Sequence, residues 1–207
     1  MKWVRFAALA GGAATVLIVI AGPILSRSHP AASASSQTIF DFISAHRSHL
    51  QLSAALAALA MTALMFWLSG LFGALRPTPG LATAAVAGGV LAGSTGITSA
   101  ALKAATACQI DSIGQSGVRV FYTLVLATNG GALLGLTVVI ATTALASLAG
   151  RWFSSVSAIL TVGSLVGAMS IAYPGIQKLG TVFLSLDMLW VLAVSVLLWR
   201  RTDLDPT

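Results

Sequence analysis

GTVFLSLDMLWVLAVSVLLWRR, residues 180–201, is an apolar run that stops on a pair of arginines. A helix that crosses a bilayer needs roughly 20 apolar residues at about 1.5 Å each. The run therefore predicts a transmembrane helix. Near its middle stands Asp187, the acid that falls inside a hydrophobic segment rather than between segments. Counting back from Trp199 puts it about 18 Å up, close to the bilayer centre. A carboxylate at that depth costs at least about 2.5 kcal/mol and faces protein or trapped water. Were the membrane to begin near Met188, Asp187 could reach the outer headgroups and pair with Lys178 or Lys103. Only about 12 residues would then remain before Arg200, too few to cross.

Composition points the same way. Of 207 residues, 57% are hydrophobic and 8% charged, where a soluble domain carries about 25% charged residues. Mean hydropathy is +0.94. The solvent for so much apolar surface is lipid. The net charge of +6 comes from basic residues set singly at the ends of apolar runs, as membrane anchors are. No basic stripe suits nucleic acid. Glu is absent, Lys is rare and Ala and Gly are abundant, the composition of a GC-rich bacterial source. One cysteine, Cys108, can form neither an intrachain disulfide nor a Cys-based metal site.

The reading is an all-α, polytopic bundle of six spanning helices forming one transmembrane domain over 1–207, with spans at about 4–25, 50–75, 81–103, 119–148, 152–173 and 180–200. The first run has a charged start (Lys2, Arg5) and the small residues AASASS after it, as a signal peptide does. Its apolar length near 20 residues instead favours an uncleaved helix. In the loop that follows, Ile39, Phe40, Phe42, Ile43 and His46 recur at helical spacing, with Ser36 as N-cap. They predict a short amphipathic helix lying on the outer membrane surface. RPTPG and Tyr173-Pro174-Gly175 are turns, and 104–117 is a loop. Gly89/Gly93, Gly131/Gly135 and Gly163/Gly167 are small-xxx-small pairs, expected to pack the third, fourth and fifth spans together.

Orientation follows from the basic residues. With the N-terminus inside, the inner side holds Lys2, Arg5, Arg76, Arg151, Arg200 and Arg201, and the outer side Arg27, Arg47, Lys103, Arg119 and Lys178. The bias places both termini in the cytoplasm of a multi-pass protein of the cell (inner) membrane.

Asp187 has no charge of opposite sign among its helical neighbours, so its partners must come from other helices. Depth arithmetic offers Asn129, about 15 Å below Arg119, and Thr95 and Thr98 of the third span. These four form an expected mid-membrane cluster for a proton, ion or small ligand. Its plainer counterpart is helix-helix glue around a neutral acid. His29, His46 and His49 all fall in the first loop, where His46 and His49, three apart, could share one helical face and, with Asp41 or His29, bind a transition metal. No third ligand stands at fixed spacing, and no histidine lies in a span to bind haem. HExxH, GxSxG and Walker motifs are absent, and a paired-acid site would need two acids in spans. No catalytic residue, cofactor or metal site is expected.

The pattern as a whole resembles a family of uncharacterised six-span integral membrane proteins common in actinobacteria. The likeness rests on TIFDFISAHRSHL after the first span, FWLSGLFGALR closing the second, a Gly/Ala-rich third span and the terminal LLWRR. The chain departs from the family's short proline turn before the fifth span, where it has AGRWFSSVS. The resemblance implies six helices and assigns no activity and no functional residue. The expected function is an intramembrane polar site in contact with the lipid bilayer. The runner-up is a structural or regulatory subunit that binds another membrane protein, or a second copy of itself, through glycine-lined helix faces.

Overall fold

The apolar runs and their breaks place seven helices among the described residues. The computed structural model describes residues 2–25, 30–31, 33–169 and 177–200, with the side chains of 2, 19–25, 177, 178 and 181 left aside. Arg27, His29, the Tyr173-Pro174-Gly175 turn and Arg201 lie outside the described residues, as does the Lys178 side chain. The helices are α1 (Lys2–Leu25), α2 (Ser36–Ala45), α3 (Arg47–Leu75), α4 (Pro79–Cys108), α5 (Ile110–Leu145), α6 (Arg151–Ala168) and α7 (Gln177–Arg200). No strand occurs among the described residues. Four helical segments are long and apolar enough to cross a membrane: α3, α4, α5 and Val182–Arg200 of α7. Large apolar side chains cover the outside, with Trp152 78%, Leu145 73% and Ile159 71% exposed. Such a surface has lipid as its natural neighbour, and the chain is an all-helical membrane protein.

The six long helices pack in the order α1–α3–α4–α5–α6–α7, and α7 closes the ring onto α1. Neighbours run antiparallel. Ala7 lies against Gly70 and Gly11 against Trp67; Met61 and Met65 meet Gly96 and Gly93. At the closure, Thr15 Oγ1 donates to the Met188 carbonyl at 3.2 Å, and the Arg5 guanidinium sits 5.6 Å from the Trp199 ring. The described start of α1 and the end of α7 therefore share one end of the ring. Trp67, Leu64, Leu71, Leu136, Ile140, Met188 and Leu198 fill the middle.

All six glycines named from the sequence stand at helix contacts, but their neighbours differ from the expectation. Gly89 and Gly93 face Leu68 and Met65 of α3, not the fourth span. Gly163 meets the Phe183 ring of α7, and Gly167 meets Gly180 of α7 and Leu133 of α5. Gly131 and Gly135 join α4 to α5 as expected, and Gly167 in part joins α6 to α5. The reason is rotational: on α4 the stripe 89, 93, 96 looks toward α3, while 88, 92, 95 looks toward α5. A Cβ on Gly135 would stand 2.5 Å from the Gly88 carbonyl oxygen and 2.8 Å from Ala92 Cα. Backbone meets backbone there, which only glycine permits.

The expected loop at 104–117 is largely helix. The chain turns at Gln109 and again at Gly114, whose φ of 67° suits glycine. This helical corner carries α4 and α5 past the bundle and changes the fate of α2. Ser35, one residue before the expected cap, is the N-cap and accepts from the Thr38 amide at 3.1 Å. The apolar face of α2 is not laid on lipid. Ile39 and Ile43 are buried with Leu50, Ala107, Ile110 and Val118 from α3, α4 and α5. Tyr122 donates to the Pro30 carbonyl at 2.6 Å and Arg119 to the Ala34 carbonyl at 2.9 Å. Gln115 donates to Gln37. Arg47 forks onto both Asp111 oxygens at 2.7 and 2.5 Å.

The hydrogen bonds from Arg47, with its charge, hold the exposed Asp111 carboxyl below its usual range. A depressed carboxylate adds stability above its unfolded pKa and loses it as pH falls through the folded value. Hydrogen exchange at the amides of α2 should therefore stay constant from neutral pH to about 3.9, the ordinary aspartate value, once corrected for intrinsic exchange. It should rise only below that. A rise beginning near pH 6 would show that this clamp does not hold the corner.

Candidate functional site

One face of α7 carries Asp187, Met188, Val191, Val194, Ser195 and Leu198, all buried. Asp187 has no exposed surface. The partner it finds is not on α4 or α5. Ser164 of α6 donates its hydroxyl to the carboxyl, with Oγ 2.7 Å from Oδ1 and 2.9 Å from Oδ2. Ser164 is itself fully buried. Among the described residues no lysine or arginine pairs with Asp187; the ion pair described is Arg47–Asp111 at the far corner.

Two turns along α6 toward its start, Ser157 is also fully buried and accepts from Trp190 Nε1 at 2.9 Å. Trp190 stacks on Phe153 at 6.2 Å and meets Trp67 edge-on at 6.1 Å. The α6/α7 seam thus has two polar anchors, Ser164–Asp187 and Ser157–Trp190, set among aromatic rings. Ser157 and Ser164 are seven apart, two helical turns, and so share a face. Thr161 lies between them and donates to the Ser157 carbonyl at 2.8 Å.

No family model, curated protein or solved structure matches this chain. The site is therefore argued from its own geometry. The expected four-residue cluster does not form. Asn129 is exposed and accepts from Ser99 at 2.6 Å. Thr95 donates to the Leu91 carbonyl at 2.6 Å, and its methyl packs on Gly131. Thr98 is exposed and donates to the Ser94 carbonyl at 2.8 Å. All three are at the α4/α5 seam or outside it, while Asp187 is at the α6/α7 seam. Similar depth does not bring together helices that are not neighbours in the ring.

The loop residues are placed by local bonds. His46 Nδ1 lies 2.9 Å from the Phe42 carbonyl, the His46 and His49 rings are 6.4 Å apart, and Asp41 accepts from Gln37 at 2.7 Å. Among the described residues no three metal-ligating side chains gather. Cys108 is exposed, with Gln51 donating to its sulfur at 3.2 Å.

Ser164, Ser157 and Trp190 went unread in the sequence. The signal was present in RWFSSVSAILTVGSLVGA, where serines 157 and 164 repeat at two helical turns in the span beside Asp187. Chain order alone makes consecutive spans neighbours in most bundles.

Proposed function

We propose that this chain is a six-span protein of the cell membrane, with both termini cytoplasmic, that takes up and releases a proton at Asp187. The observation that carries the reading is the burial of that carboxyl with, among the described residues, one hydroxyl for a partner and no cation beside it. An ionised carboxylate has about four lone-pair sites and only accepts. One hydroxyl has a single hydrogen, which cannot satisfy two carboxylate oxygens. A neutral acid fits better: Ser164 donates to one oxygen while the acid's own O–H donates back to Ser164 Oγ. Both contacts are then hydrogen bonds, and no charge is buried. A metal cation has less support, since calcium or magnesium takes about six oxygens and this seam offers three.

Six crossings are supported by the closed ring of antiparallel helices, which brings the starts of α1, α4 and α6 to one end. Arg5, Arg76, Arg151 and Arg200 stand exposed there, the side that the positive-inside rule assigns to the cytoplasm. The runner-up, a subunit joined to another membrane protein through glycine faces, has less to stand on. Its six glycines already pack against the chain's own helices.

The test is infrared spectroscopy of the protein in lipid at neutral pH, wild type against Asp187→Asn. The wild type should show the carbonyl stretch of a neutral carboxylic acid, and the variant should lose it. A difference spectrum containing only carboxylate bands would overturn the reading.

A further inference from the structure

A buried acid that exchanges protons needs a route to water, and the two directions along the α6/α7 seam differ. Away from the end that carries Arg5, Arg151 and Arg200, the seam closes among the described residues. A Cβ on Gly167 would stand 3.1 Å from Gly180 Cα and 3.2 Å from Leu133 Cδ2. The Phe183 ring fills the space over Gly163. Helix backbones and an aromatic ring in such contact leave no width for a file of water, and none of these groups offers a side-chain hydrogen bond.

Toward the arginine end the same helix presents hydroxyls. From Ser164 back to the start of α6 come Thr161, Ser157 and Ser154, at spacings of three, four and three. Ser157 is fully buried and accepts from Trp190, which leaves its own hydrogen free to donate onward. Ser154 Oγ is buried and has no hydrogen-bond partner. A buried unpaired hydroxyl is costly in a packed bundle unless something polar meets it. Three residues further is Arg151, exposed at the helix start.

We propose that Asp187 exchanges its proton with the arginine-bearing end alone, through the α6 hydroxyls Ser164, Ser157 and Ser154. This rests on the proton site proposed above. Side chains three or four apart on a helix have Cβ atoms about 5–6 Å apart, too far for direct hydroxyl-to-hydroxyl bonds. Water must bridge each gap, with the Thr161 hydroxyl midway across the two turns, about 10.5 Å, that separate Ser164 from Ser157; Thr161, Ser157 and Ser154 supply its partners. In release, the Asp187 O–H bond breaks and its proton goes to Ser164 Oγ. The hydrogen that Ser164 held swings from the other carboxyl oxygen to the bridging water and leaves for it. Each oxygen down the track gains one proton and passes on another, so one proton emerges at the end and Asp187 is left as carboxylate. Uptake is the reverse, and no oxidant or reductant takes part.

The experiment follows exchange of the Asp187 acid proton for deuteron, read as the downshift of its infrared carbonyl band after transfer of the lipid-embedded protein into D2O. Ser157→Val should slow the exchange at least about tenfold, the rate equivalent of one lost hydrogen bond. Ser157→Thr, which keeps the hydroxyl, should restore it. Ser154→Ala, one turn nearer the helix start and with no hydrogen bond to lose, should slow it as well. The carbonyl band itself, present before exchange, reports that each variant holds the site intact. Wild-type exchange rates in Ser157→Val and Ser154→Ala would overturn the route while leaving the proton site standing, because a path from the opposite end passes neither residue. A wild-type protein without the neutral-acid band would remove the site and the route together.

Discussion

Gly135→Ala should destabilise the protein by about 3 kcal/mol or more, the upper end of what overpacking usually costs. Leucine at the same place should prevent the bundle from assembling. The added methyl group meets the Gly88 carbonyl oxygen at 2.5 Å and Ala92 Cα at 2.8 Å, both main-chain atoms of α4. A side chain can rotate away, whereas a helix backbone can only move as a unit, which separates α4 from α5 along their whole contact. For a domain of 150–250 residues that loss corresponds to a melting point roughly 6–12 °C lower. Two controls give the prediction its edge. Gly93→Ala meets the Met65 thioether at 2.6 Å, a flexible neighbour that can rotate aside, and should cost much less. Gly12→Ala meets nothing within 4 Å and should be neutral or gain up to about 1 kcal/mol from helix propensity. Thermal melts of the three variants in one detergent decide it. Equal melting points for Gly135→Ala and Gly12→Ala would mean that the α4/α5 crossing is looser than the structure has it.

What could be read from the chain was what depends on one helix at a time. Length and hydropathy gave helices where the structure has them, and the cost of burying a carboxylate put Asp187 inside. Small-xxx-small spacing marked helix contacts at Gly131 and Gly135. What could not be read was rotation and ring order. Depth counted along a helix gives height, and Asn129, Thr95, Thr98 and Asp187 were grouped by height alone. They are held apart because α5 turns Asn129 toward Ser99 on α4, and α7 turns Asp187 toward Ser164 on α6. Gly88 was passed over for Gly89 for the same reason, since 100° of rotation separates α4's contact with α5 from its contact with α3. The α2 helix was recognised by its periodicity. Its docking required the helical corner at Gln109 and Gly114, which polar residues and glycines had marked as a loop.

Ser164 and Asp187 should show strong coupling in stability, and its sign separates an acid kept for function from one kept as glue. Ser164→Ala alone leaves a fully buried carboxyl with no partner. The expected loss is about 1–3 kcal/mol, the ordinary cost of an orphaned buried polar group, and it rises if the acid ionises without support. Asp187→Leu alone orphans a serine instead, a smaller loss because Ser164 can turn its hydroxyl to a backbone carbonyl one turn back, as Ser195 does to Val191 at 2.8 Å. In the double variant nothing polar is left unmatched. Replacing both partners of a buried pair by apolar groups is often neutral or stabilising, so the double variant should melt at or above the wild type. The coupling energy, the double-variant loss minus the two single losses, should then be at least about 1 kcal/mol in magnitude. Additive losses would show that Asp187 has partners other than Ser164. A double variant as stable as the wild type has a second consequence. Helix-helix hydrogen bonds in membranes average only about 0.6 kcal/mol, so an acid that the bundle does better without contributes nothing to its stability. That outcome would favour the proposed proton site over glue.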